Sequence, residues 1–78
     1  MTKLFKVKLA FATDPGLDPI VVTEYVYADD QFEAERSATA NVEENHPEAT
    51  DVWLRGDPAA REIDRVTLQP VPVEEVKS

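Results

Sequence analysis

The sequence predicts an α+β fold in which a three- or four-stranded antiparallel sheet is covered on one face by a single helix. Three observations predict this fold: an alternating segment at residues 4–12, a β-rich segment at residues 20–28, and a helical segment that begins at Asp30. A chain of 78 residues with 42% apolar and 31% charged residues is typical of one small globular domain. We therefore expect a single domain over residues 1–72, in the order ββαβ or ββαββ, and a flexible tail over residues 73–78.

The first two strands follow from side-chain patterning. Apolar side chains occupy every second position of the first segment: Phe5, Val7, Leu9 and Phe11. A period of two is typical of a strand that is buried on one side. Residues 13–19 contain two prolines and a Pro-Gly step, which predict a loop. The next segment is rich in valine and tyrosine and is predicted to pair antiparallel with the first, but its two faces are both apolar and its buried face stays open.

The helix is predicted to begin at Asp30 and to end before Pro47. Asp30 is a candidate N-cap, and Glu33 follows it at the spacing of a capping box. The residue before a proline avoids the helical backbone conformation, which places the end of the helix at residues 45–47. Small side chains recur every four residues and form a narrow stripe that lets the helix lie close to the sheet: Ala34, Ala38 and Val42.

The last third of the chain is less regular. Residues 51–55 predict a short strand, which a Gly-Asp-Pro turn follows. Residues 59–62 are ambiguous, whereas residues 63–71 alternate again and predict the last strand. Pro70 and Pro72 then mark an edge strand or its end.

Negative charge is concentrated in residues 24–51, which carry nine acids and one base, Arg36. This block carries a charge of −8, the formal net charge of the whole protein. Such a block steers association toward basic surfaces and repels nucleic acids and anionic membranes. We therefore expect a partner protein with a basic surface, a monomer or weak dimer, and no direct contact with nucleic acid or membrane.

The acids at the two ends of the predicted helix differ in what they indicate. Those near its N-terminus are favoured by the helix dipole and need no functional reason. Glu43 and Glu44 stand near its C-terminus, where the dipole disfavours them, and no lysine lies four residues after any helix acid. An unpaired acidic face indicates a binding surface, with simple solvation as the alternative.

Enzyme chemistry has little support in the residue types. The chain has no cysteine, two glycines and one histidine, His46, whose position at the helix end favours a capping or solvent role. Without a cysteine, a second histidine or a glycine-rich loop, nucleophilic, zinc and phosphate-loop sites are unsupported. We expect no catalytic activity, no metal and no cofactor. The chain also has no apolar run of membrane length and no signal-peptide pattern, from which we expect a cytoplasmic protein.

A set of short motifs resembles the small phage-encoded inhibitors of bacterial RNA polymerase. The motifs lie between Lys3 and Pro70 and comprise Tyr27-Ala28-Asp29, Glu33-Ala34 with Ala38, and Glu62-Ile63-Asp64-Arg65-Val66. Members of that family are acidic domains with one helix and a three-stranded sheet, which bind the jaw of the largest polymerase subunit. The sequence departs from the family pattern at Phe32, Arg36 and Thr67.

The resemblance implies partner-binding roles for acids on the helix and for an arginine on the last strand. It places those roles on Asp29, Asp30, Glu33 and Arg65, and we expect Phe32 to be a nearby apolar anchor. The leading hypothesis is an acidic, non-enzymatic protein that binds and inhibits a host protein in the bacterial cytoplasm, with RNA polymerase as the specific target.

Two alternatives remain open from the sequence. A DNA mimic that antagonises host defence, such as an anti-restriction or anti-CRISPR protein, needs acids along both the helix and the sheet rim at phosphate-like spacing. A polymerase-jaw binder needs one compact acidic patch beside an arginine. An accessory homodimer without an inhibitory role predicts stability that depends on concentration.

Overall fold

The protein is a four-stranded antiparallel sheet with one helix packed on one face, as predicted. The computed structural model describes residues 2–14, 16–56 and 58–71. The strands are β1 (Lys3–Ala12), β2 (Ile20–Ala28), β3 (Asp51–Leu54) and β4 (Ala60–Ile63), and the helix α1 (Gln31–Asn45) lies between β2 and β3. The predicted tail at residues 73–78 lies outside the described residues.

β1 is the central strand. β2 pairs along the whole of one edge, in a register that places Val7 opposite Glu24. β3 and β4 follow one another along the other edge, opposite the second and first halves of β1. Where they meet, the main chain of Lys8 accepts from Arg55 N–H at 2.9 Å and donates to the Ala59 carbonyl at 3.1 Å, so Lys8 joins the two edge segments.

The core lies between α1 and the alternating apolar face of β1. Phe5, Val7, Leu9 and Phe11 are all buried there, which confirms the pattern read from the sequence. The small-residue stripe of α1 packs onto them, because Ala34, Ala38 and Val42 are each 0% exposed. Val22, Val26 and Ala28 of β2 also face the helix, which settles the face that the sequence left open.

On the opposite side of the sheet, here called the open face, the described residues form no helix. Its strand residues are the register partners that alternate with the core: Leu4, Lys6, Lys8, Ala10 and Ala12 of β1, Val21, Thr23, Tyr25 and Tyr27 of β2, Asp51 and Trp53 of β3, and Arg61 and Ile63 of β4. Val21, Tyr25, Tyr27 and Trp53 are exposed. The strands of this face therefore combine aromatic side chains with three cations and one acid, Asp51.

The prediction for the last strand was wrong in its position. The strand begins earlier than expected, at Ala60, and ends at Ile63. Asp64 ends it, because its carboxylate accepts from Val66 N–H at 2.8 Å and from Thr67 N–H at 3.0 Å and so closes a turn. The chain returns so that Pro70 forms an isolated bridge with Ile63.

Candidate functional site

The three predicted partner-binding acids lie together at the junction between β2 and α1. Asp30 is the N-cap, with an extended backbone, and its Oδ1 accepts from Glu33 N–H at 2.8 Å. Glu33 Oε1 in turn accepts from Asp29 N–H at 2.9 Å, so the predicted capping box closes one residue further back than its usual form. All three acids are exposed to solvent. They are available to a partner, but two of the carboxylates also start the helix.

Phe32, the predicted apolar anchor, lies on the solvent side of α1. Its side chain is 66% exposed and takes no part in the core. The Arg36 guanidinium carbon lies 5.9 Å from the centroid of its ring, one helical turn further on. A large aromatic side chain held at the surface beside a guanidinium is typical of an interface anchor.

A groove of about 370 Å³ runs from Phe32 along α1 toward β3. Leu54 of β3, 38% exposed, lines it from the sheet. The lining combines apolar side chains with two carboxylates and one guanidinium, and its residues are Phe32, Glu35, Arg36, Thr39, Ala40, Glu43 and Leu54. These residues are called the acidic groove below. Glu35 and Leu54 were not among the predicted site residues, whereas the sequence indicated Glu43 as part of an unpaired acidic face.

A signal for part of this groove was present in the sequence. Phe32, Glu35, Thr39 and Glu43 recur at intervals of three and four residues, which is the spacing of one helical face. The contribution of Leu54 had no such signal, because it depends on where β3 pairs with β1.

The acidic groove keeps an unfavourable electrostatic arrangement. The last turn of α1 contains no base, so Glu43 faces the negative end of the helix dipole. In the part of the chain that the structure describes, no lysine or arginine forms an ion pair with a carboxylate. The two acids of the groove therefore form no ion pair with a described base, and its lining holds one base, Arg36.

Arg65 lies apart from this groove. It belongs to the turn after β4 rather than to a strand, which corrects the strand position that the resemblance implied. Its guanidinium carbon is 5.7 Å from the ring centroid of Tyr27, a residue of the open face. Arg65 is thus on the helix-free side of the sheet, whereas Phe32 is on the solvent side of the helix.

His46 has the capping role expected for it. Its main-chain N–H donates to the Val42 carbonyl at 2.9 Å and ends α1. The imidazole stacks on Phe11 with ring centroids 4.4 Å apart, and its Nδ1 is 3.4 Å from a Glu48 carboxylate oxygen. These contacts fix the end of the helix onto β1.

No metal centre is formed by the described residues, since they contain no group of three or more histidine, cysteine, aspartate or glutamate side chains placed to hold an ion. Over the same residues, the helix is too short and too polar to cross a membrane.

Comparisons with protein-family models, with curated proteins and with solved structures found no match.

Proposed function

We propose that this protein is a small, non-enzymatic binder that docks its acidic groove onto a basic surface of a partner protein and inhibits that protein. The observation that carries the proposal is the exposed Phe32 in a groove that is also lined by Glu35 and Glu43, two acids without an ion pair to a described base. The carboxylates steer the encounter, and Phe32 supplies the short-range contact.

The groove favours a basic protein surface over other occupants. The apolar side chains of Phe32 and Leu54 suit aliphatic side chains of a partner, while the carboxylates of the lining suit lysine or arginine heads. A long arginine or lysine side chain has both an aliphatic stem for the apolar part of the groove and a charged head for the carboxylates. A partner of this kind presents several such side chains on one surface.

The specific target that we propose is bacterial RNA polymerase, with the protein acting in the host cytoplasm as a phage-encoded inhibitor. Support comes from the motif resemblance, from the acidic helix, and from the single-helix α+β fold. Arg65 lies apart from the acidic groove, beside Tyr27. A partner that contacts both Arg65 and the groove therefore has to extend around the edge of the sheet at Tyr27.

The open face weighs against the DNA-mimic alternative. A mimic needs acids along both the helix and the sheet rim at phosphate-like spacing, whereas the strands of the open face present Lys6, Lys8 and Arg61 against a single acid, Asp51.

The test is a capture experiment from bacterial lysate with tagged protein, washed at low and at high salt, in parallel with Phe32→Ala. We expect RNA polymerase subunits on the wild-type protein, their loss at high salt, and weaker capture by Phe32→Ala. Purified polymerase is then assayed for promoter-dependent transcription with each protein. Capture of a nuclease instead of polymerase, or equal capture by Phe32→Ala, contradicts the proposal.

A further inference from the structure

The open face holds a second cavity, of about 370 Å³, with basic walls. Lys6 and Lys8 of β1 and Arg61 of β4 line it, and Leu68 lies at its edge. None of the described lining residues is acidic. Because strand side chains alternate between the two faces, this cavity and the acidic groove are on opposite sides of the sheet.

The placement of these cations is unfavourable for folding. Lys6 and Arg61 are directly opposite one another in the β1–β4 register, and Lys8 follows Lys6 on the same face. Like charges in directly opposed positions destabilise a sheet. Arg55 adds a fourth cation, since it lines an adjoining groove together with Lys8. Within the described chain none of the four has a carboxylate partner in an ion pair.

The edge of this cavity also carries backbone strain and exposed apolar surface. Leu68 has a φ of 60°, the left-handed region that residues with a Cβ seldom adopt, and its side chain is exposed. The turn holds it there, because Leu68 N–H donates to the Asp64 carbonyl at 2.8 Å and Asp64 N–H donates to the Gln69 carbonyl at 2.9 Å. An apolar side chain is thereby kept beside the three cations.

We propose that this cavity binds an acidic segment of a partner protein, with carboxylates on Lys6, Lys8 and Arg61 and an apolar side chain of the segment against Leu68. The planar guanidinium of Arg61 suits a carboxylate, which it can bind through two parallel hydrogen bonds. The site uses no residue of the acidic groove and does not depend on the function proposed above.

The charge of the protein favours a short acidic peptide over a single-stranded nucleic acid. The formal net charge of −8 repels a long polyanion, whereas a short segment approaches only the basic side of the sheet. Because Tyr25 and Trp53 of the open face are exposed and available for base stacking, the test includes an oligodeoxythymidine.

The test is an NMR titration of isotope-labelled protein with a blocked synthetic peptide of alternating glutamate and leucine. The control peptide has glutamine in place of glutamate. We expect millimolar or tighter binding of the acidic peptide, with amide shifts at Lys6, Lys8 and Arg61, and no such shifts with the control. Loss of one charge-assisted contact in Arg61→Gln is expected to weaken the affinity about tenfold.

Lys3→Gln is the matched variant, because it removes the same charge from the other side of the β1 strand. It should bind the peptide like the wild type, and so should Glu43→Lys in the acidic groove. Arg61→Gln should unfold at a temperature no lower than the wild type, since it relieves the opposition to Lys6. Weaker binding thus cannot be assigned to misfolding.

Four results overturn the proposal. One is the absence of shifts at the cavity with millimolar acidic peptide, and another is equal binding of the glutamine peptide. The third is tighter binding of an oligodeoxythymidine, which would assign the face to nucleic acid. The fourth is salt-sensitive self-association that Arg61→Gln abolishes, which would make a second copy of this chain the occupant.

Discussion

The main-chain N–H of Glu33 donates to the carboxylate of Asp30 at 2.8 Å, and this bond starts α1. The Glu33 carboxylate in turn accepts a hydrogen bond from Asp29 N–H at 2.9 Å. Charge reversal at these positions therefore changes helix stability together with any contact that the acids make. Glu43, which has no capping role and lines the acidic groove, separates the two effects.

Replacement of the cap should destabilise the fold in a way that depends on the side chain introduced. Asp30→Ala removes the acceptor for Glu33 N–H and is expected to lower the free energy of unfolding by about 1 kcal/mol. Asp30→Asn keeps an acceptor oxygen and should lie close to the wild type. Urea denaturation of the three proteins measures the difference, and equal loss in both variants would show that charge matters here instead of the hydrogen bond.

The small-residue stripe of α1 should not tolerate a larger side chain. Ala38 is 0% exposed against the sheet, so Ala38→Leu forces the helix away from β1 and is expected to cost about 1–3 kcal/mol of stability. Ala40→Leu is the matched control, because Ala40 is exposed on the same helix. Thermal or urea unfolding compares them, and equal stability of the two variants contradicts the close packing of helix and sheet.

The turn after β4 should give one carboxyl group a low pKa. Hydrogen bonds from Thr67 N–H and then Val66 N–H favour the ionised form of Asp64 and lower its pKa from the ordinary value of 3.8. Because the folded-state pKa is depressed, this contribution to stability is present above pH 3.8 and is lost as the pH falls through the folded-state pKa.

The pKa is measured by following the Asp64 carboxyl carbon in an NMR titration. A midpoint below 3.8 is expected, and a midpoint at or above it shows that the turn is open in solution. The stability difference between wild type and Asp64→Ala should shrink over the same pH range.

Much of the fold was predictable because its signals are local. The alternation around Val7, the Asp30 cap and the stripe at Ala38 each depend on residues near one another in the chain, and each prediction was confirmed. The buried face of β2 was not predictable, since both faces of this strand are apolar. The register with β1 determines which of them packs against the helix.

The last strand was misplaced for a different reason. The alternation after Ile63 continues into residues that Asp64 holds in a turn, and a side-chain hydrogen bond of this kind overrides a weak strand pattern. The acidic groove was found only in part, because the sequence identifies the helix acids but not the approach of Leu54.

Phe32→Ala should separate binding from folding. Because the side chain is 66% exposed and lies outside the core, its removal should leave the free energy of unfolding within about 0.5 kcal/mol of the wild type. Loss of a central interface anchor, in contrast, is expected to weaken partner binding by at least about 2 kcal/mol. Denaturation and calorimetric binding of the captured partner give the two values. A loss of stability without a loss of affinity would make Phe32 a structural residue.

The central claim is that the acidic groove contacts the partner, and a comparison of neighbouring charge reversals tests it most directly. Glu43 lines the groove, whereas Glu44 is exposed on the same turn of α1 outside it. Both changes, Glu43→Lys and Glu44→Lys, alter the net charge and the helix dipole to nearly the same extent. The affinity of each variant for the captured partner is measured at physiological salt. We expect Glu43→Lys to weaken binding at least about tenfold more than Glu44→Lys does, whereas equal affinities would show that the groove is only a solvated surface.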